Sequence, residues 1–103
     1  MTARRRLDFD AINRGALAEL PTLVRRWLPD GYVEGGKEWA ARNPRRADKR
    51  PGSFKVNLKT GRWADFATGD KGGDVISLAA YVAGISQGEA ARYLADMLGI
   101  SDG

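Results

Sequence analysis

The 103-residue sequence contains neither cysteine nor histidine. Without cysteine the chain can form no disulfide, offer no thiolate nucleophile and bind no metal through sulfur. Without histidine it also lacks the commonest neutral metal ligand and general base. The acidic residues are scattered, without the spacing of a carboxylate metal site or an acid–base pair. These absences predict no resident metal or cofactor and favour a non-enzymatic module over an enzyme.

Long apolar runs are also absent. No stretch approaches the roughly 20 apolar residues that a membrane span requires. Arginines at positions 4–6 are not followed by the apolar segment of a secretory signal. We therefore expect a cytoplasmic protein without a membrane partner. The 43% hydrophobic content is typical of a folded domain, and we predict a flexible N-terminal arm over residues 1–15 and a single domain over residues 16–103.

The positive charge is concentrated in the middle of the chain. Residues 36–73 contain ten basic and four acidic residues, for a net charge of +6, whereas residues 1–35 carry +1 and residues 74–103 carry −3. A basic block flanked by neutral and acidic segments favours a polyanionic partner such as a nucleic acid.

Hydrophobic periodicity and turn residues predict a small α+β fold. Apolar residues at helical spacing predict a helix over residues 16–28, kinked or broken at Pro21. A strand is expected on each side of Gly35-Gly36, and residues 53–58 and 62–66 alternate as a hairpin around Gly61. Residues 69–73 are predicted to be a flexible loop.

Capping signals define two further helices. Asp74 is a predicted N-cap for a helix over residues 75–83 that ends at Gly84. Ser86 and Glu89 form a capping box for a last helix that ends at Gly99 and buries one stripe: Ala90, Tyr93, Leu94, Met97 and Leu98. The resulting fold class is a small antiparallel sheet flanked by helices.

From residue 36 onward, five segments occur in a recognisable order: Asn43-Pro44-Arg45-Arg46, Pro51-Gly52-Ser53-Phe54-Lys55-Val56-Asn57, Gly61-Arg62-Trp63-Ala64-Asp65-Phe66-Ala67-Thr68, Gly72-Gly73-Asp74-Val75-Ile76, and Gly88-Glu89-Ala90 to Leu98-Gly99-Ile100. Over roughly 65 residues this order resembles the N-terminal zinc ribbon of bacterial, phage and plasmid DNA primases. Its Cys-Pro-x-His and Cys-Phe-x-Cys ligand motifs align with the first and third segments.

The resemblance places Asn43, Arg46, Asp65 and Thr68 at the four zinc-ligand positions. This set cannot hold zinc, because arginine is always protonated and asparagine, threonine and one aspartate are insufficient. The resemblance therefore implies a zinc-ribbon-like module without zinc. We expect either an Arg46–Asp65 salt bridge or apolar burial to replace the metal, the latter through Trp39, Phe54, Val56, Trp63 and Phe66 packed on the C-terminal helices.

In that family the domain helps a primase to hold its single-stranded DNA template, with catalysis in another domain. The resemblance thus implies a single-stranded DNA partner, alongside a primase catalytic or helicase domain. The predicted nucleic-acid-binding residues combine cations with one aromatic: Arg42, Arg45, Arg46, Lys49, Arg50, Lys55, Lys59, Arg62, Trp63 and Lys71. Trp39 and Trp63 are each either core residues or platforms for base stacking. The alternative function is a protein-docking module with an interface at Leu23 and Trp27.

Overall fold

The protein has the predicted α+β fold. The structure, a computed structural model, describes residues 7–45 and 51–100. Within these ranges it has four helices and five strands, in the order α1 (Phe9–Ala18), α2 (Leu20–Trp27), β1 (Tyr32–Glu34), β2 (Glu38–Ala41), β3 (Phe54–Asn57), β4 (Trp63–Asp65), β5 (Lys71–Gly72), α3 (Val75–Ala83) and α4 (Gln87–Leu98). None of the described helices is long and apolar enough to cross a membrane.

The N-terminal helical region begins earlier than the sequence predicted. Residues 9–15, assigned to a flexible arm, form most of α1, so that assignment is wrong for this segment. The Asp8 carboxylate caps α1 by accepting a hydrogen bond from the Ala11 N–H at 3.0 Å, and Ile12 is buried against the core. The predicted break is confirmed, because α1 ends at Ala18 and α2 begins at Leu20 with Pro21 in its first turn.

The strands form one antiparallel sheet in sequential order from β1 to β5. Both strands predicted beside Gly35-Gly36 are present, and Gly61 takes the positive φ (81°) expected of the β3–β4 turn. Residues 69–73, predicted to be a flexible loop, instead contribute β5. Its Gly72 pairs with Trp63, and glycine is needed at position 72 because a Cβ atom there would collide with the indole.

The two faces of the sheet differ sharply. The inner face, which packs on the helices, carries one row with Trp39, Val56 and Trp63 and a second with Phe54 and Asp65. The outer face carries the row Tyr32, Ala40, Lys55, Ala64 and Lys71. The prediction that Phe66 belongs to the core is wrong, because alternation from Trp63 directs Phe66 to the outer face, where it is 70% exposed.

The two C-terminal helices begin and end as predicted. Asp74 and Ser77 form a capping box at the start of α3, and Ser86 and Glu89 form another at the start of α4. The buried stripe of α4 differs from the prediction, since Tyr93 is 47% exposed. Ala90 and Leu94 are buried as predicted, and Ala91 and Ala95 complete the close packing of α4 on α1 and α3.

Candidate nucleic-acid interface

A buried hydrogen-bond network, here called the Asn43 network, joins β2 to the segment after β4. It consists of Asn43, Asp65, Asp70 and Tyr81. Asn43 and Asp65 are the buried polar residues among those described, at 1% and 0% exposure. The Asn43 Nδ2 atom donates to Asp65 Oδ2 at 2.7 Å and to the Tyr81 hydroxyl at 2.8 Å. The Tyr81 hydroxyl in turn donates to Asp70 Oδ2 at 2.7 Å.

Backbone groups complete the Asn43 network. Asp65 Oδ1 accepts from the N–H groups of Ala67 at 2.7 Å and Thr68 at 3.3 Å, and Asn43 Oδ1 accepts from the Arg45 N–H at 2.8 Å. Burial, as the main cause, and the hydrogen bond to Asp70 raise the pKa of the Tyr81 hydroxyl, which therefore stays protonated as a donor. The network thus fixes the turn after β4 against the end of β2.

Three of the four positions aligned with zinc ligands meet in this network, namely Asn43, Asp65 and Thr68. Arg46 lies outside the described residues, so its proposed salt bridge with Asp65 stays a prediction. Across residues 7–45 and 51–100, no three acidic side chains are grouped as metal ligands would be. The chemistry of the donor set is that of hydrogen bonding, because the amide of Asn43 and the N–H groups at 67 and 68 all point protons at one carboxylate.

Trp63 lies in an aromatic cluster on the inner face and is only 6% exposed. Its ring centroid is 4.6 Å from that of Tyr81 and 5.7 Å from that of Phe54. The indole Nε1 donates to Ser77 Oγ at 2.9 Å, which holds the ring against α3. The prediction that Trp63 stacks on nucleic-acid bases is therefore wrong, because its ring is buried among these neighbours. Trp39 is also buried and donates to the Leu28 carbonyl at 2.9 Å.

An exposed aromatic residue lies on the outer face of the sheet, whereas Trp63 is buried on the inner face. Phe66 stands on this face together with Lys55, Arg62 and Lys71, around a shallow depression of about 320 Å³. Tyr32 is exposed at the β1 end of the same face. We call this surface the outer-face platform. Its three cations are among the predicted binding residues, whereas Phe66 and Tyr32 are not. The alternation of residues 62–66 is the signal that could have found Phe66, because it directs Phe66 to the face opposite Trp63.

Lys55 lies at the centre of the outer-face platform. Its ammonium is 2.5 Å from Glu34 Oε1 and 5.6 Å from the centre of the Phe66 ring. The hydrogen bond with Glu34 is the main cause that raises the pKa of Lys55 above its ordinary value. Lys55 is therefore charged throughout the physiological range, and one face of the Phe66 ring already lies beside a cation.

The remaining predicted cations do not gather on the platform. Arg42 forms a salt bridge with Asp30, and the Arg45 guanidinium lies 5.5 Å from the centre of the Tyr81 ring, beside α3. Lys59 is exposed in the β3–β4 turn, away from the depression. Arg46, Lys49 and Arg50 lie outside the described residues.

Neither a scan against protein-family models nor a search of curated proteins finds a match for this chain.

Proposed function

We propose that the chain is a zinc-independent module that binds single-stranded DNA, accessory to a primase or primase-helicase whose catalytic site lies in another domain. The observation that carries the proposal is the outer-face platform, which sets the exposed ring of Phe66 among Lys55, Arg62 and Lys71. We further propose that it acts in the cytoplasm.

Each part of the platform matches one part of a single strand. Lysine and arginine side chains contact phosphates, and an exposed aromatic ring stacks with an unpaired base regardless of its identity. A duplex keeps its base faces covered by their neighbours, so Phe66 favours single strands. The primase-type assignment is supported by the order of the five segments and by the hydrogen bonds from the Asn43 amide and the Thr68 N–H to the buried carboxylate of Asp65.

The test is a fluorescence-anisotropy titration of labelled single-stranded and duplex DNA at two salt concentrations. We expect tighter binding to the single strand and a steep loss of affinity with salt. Phe66→Ala should weaken single-strand binding by roughly five- to 150-fold, the range for loss of one stacked base.

Phe9→Ala is the matched control, because Phe9 is also exposed but lies on α1, on the helical side of the sheet. It should leave the affinity unchanged. The proposal fails if the wild-type protein binds no DNA at low salt, or if Phe66→Ala binds as tightly as the wild type while remaining folded.

The second function that we propose is protein docking, and one surface favours it. An apolar groove between α2, α3 and α4 is lined by Trp27, Ala79, Val82, Ala83, Ile85 and Tyr93. The prediction that Leu23 belongs to this interface is wrong, because Leu23 is buried in the core. Trp27, the other predicted interface residue, lines the groove. Failure of the DNA titration would favour this second function.

A further inference from the structure

The central lysine of the outer-face platform, Lys55, already forms an ion pair with an acidic residue of the same chain. Glu34 on β1 reaches Lys55 on β3 across the intervening strand β2. The residue of β2 that pairs with Lys55 is Ala40, whose methyl group leaves room for the lysine to extend over it. Glu38, on the same face, adds a weaker attraction to Lys55. Glu34 therefore stands where the phosphate of a bound strand would need to be.

We propose that Glu34 is an intramolecular competitor for phosphate at Lys55, so that a single strand binds by exchanging the Glu34 carboxylate for one of its own phosphates. This inference rests on the proposed function, because it concerns the same platform. A carboxylate and a phosphate make similar charge-assisted hydrogen bonds to an ammonium group. The exchange at Lys55 thus contributes little net affinity, and tight binding depends on Phe66, Arg62 and Lys71.

The exchange has a distinct consequence for salt dependence. A free cation that neutralises a phosphate releases a counterion from the strand, which adds about 0.7 to the slope of log affinity against log salt for single strands. At Lys55 the released Glu34 carboxylate attracts a cation in turn, so this contact adds almost nothing to the slope. Removing the Glu34 charge should restore the missing contribution.

The experiment compares Glu34→Gln and Glu38→Gln in the full chain, with a labelled single-stranded oligonucleotide over a series of salt concentrations. Both changes keep the size of the side chain and remove one negative charge from the outer face. Glu38 lines the depression beside Lys55, whereas Glu34 forms the ion pair with Lys55, so the comparison separates the loss of a nearby charge from the loss of the ion pair. We expect Glu34→Gln to bind about two- to fivefold more tightly, the range for one exposed ion pair, and its salt slope to steepen by about 0.7. Glu38→Gln should change both quantities less.

A double variant tests whether the effect of Glu34→Gln on DNA binding requires the charge of Lys55. In Glu34→Gln/Lys55→Gln the salt slope should return to that of the wild type. Equal effects of Glu34→Gln and Glu38→Gln would overturn the competitor role and leave only a general electrostatic effect. An unchanged salt slope in Glu34→Gln, when the wild type binds the oligonucleotide, would also overturn the competitor role. If neither the wild type nor Glu34→Gln binds, the proposed function itself fails together with this inference.

Discussion

The substitution Asn43→Ala tests whether the Asn43 network stabilises the fold. It removes the hydrogen bonds from Nδ2 to Asp65 and Tyr81 and the one from the Arg45 N–H to Oδ1. A hydrogen bond to a charged group contributes about 1.5–3 kcal/mol and one between neutral groups about 1 kcal/mol. Because the carboxylate of Asp65 is fully buried, the loss of its amide donor is not offset by water. We expect the free energy of unfolding to fall by about 3.5–5 kcal/mol.

Chemical and thermal unfolding, followed by circular dichroism, would measure this loss. In a domain of this size each kcal/mol corresponds to roughly 4–8 °C in Tm, so we expect a decrease of at least about 14 °C. Asn57→Ala is the matched control: Asn57 Oδ1 accepts from the N–H groups of Lys59 and Thr60 in an exposed turn, where water can replace it. If Asn43→Ala lowers the free energy of unfolding no more than Asn57→Ala does, the Asn43 network does not stabilise the fold as expected.

Two further predictions concern the aromatic cluster. Gly72→Ala should destabilise the protein by about 1–3 kcal/mol, because the new methyl would overlap Trp63 Nε1 and Ser77 Oγ; Gly73→Ala, with open space around it, is the control, and equal urea midpoints for the two variants would contradict the packing. Since the pKa of Tyr81 is raised in the folded state, its contribution to stability is present below the ordinary tyrosine pKa of about 10 and lost as pH rises through the raised value. Tyr81→Phe should therefore lose less stability than the wild type between pH 8 and 11 in urea unfolding, and an equal loss would count against this coupling.

Elements whose ends are encoded locally could be predicted from the sequence. The helices α3 and α4 begin at a capping box and end at a glycine in the left-handed conformation, signals that lie within a few residues of each boundary. The β3–β4 hairpin was predictable for the same reason, since Gly61 and the alternation around it specify the turn and both faces. The start of α1 was not predictable from periodicity, because residues 1–10 show no helical repeat of apolar residues. The described helix is supported by distant contacts, such as that from the Ile76 N–H to Asn13 Oδ1 at 3.0 Å.

The candidate site was harder to predict, because each aromatic could serve packing or binding. Trp63 begins β4 and Phe66 directly follows it, and the two residues face opposite sides of the sheet. The basic residues around them suited either role for each ring. Burial settles the question: Trp63 packs on Tyr81, and Phe66 is exposed. The hydrogen-bond partners of Asp65 could not be predicted from the sequence either. Asn43 is 22 residues away, and nothing in the local sequence distinguishes an amide donor from a solvated loop residue.

The proposed binding surface and the buried side-chain contacts lie on opposite faces of the sheet. The inner side holds the aromatic cluster and the buried pair of the Asn43 network, Asn43 and Asp65. The outer face holds Phe66 and the cations, whose side chains contribute little to the core. Changes on one face should therefore affect either stability or DNA binding, but not both. Asn43→Ala should lower Tm and, below its unfolding temperature, retain the wild-type affinity for DNA. Phe66→Ala should weaken DNA binding and leave Tm unchanged. If Asn43→Ala weakened DNA binding while still folded, the turn after β4, which carries Phe66 and is held by Asp65, would be the element that couples the two faces.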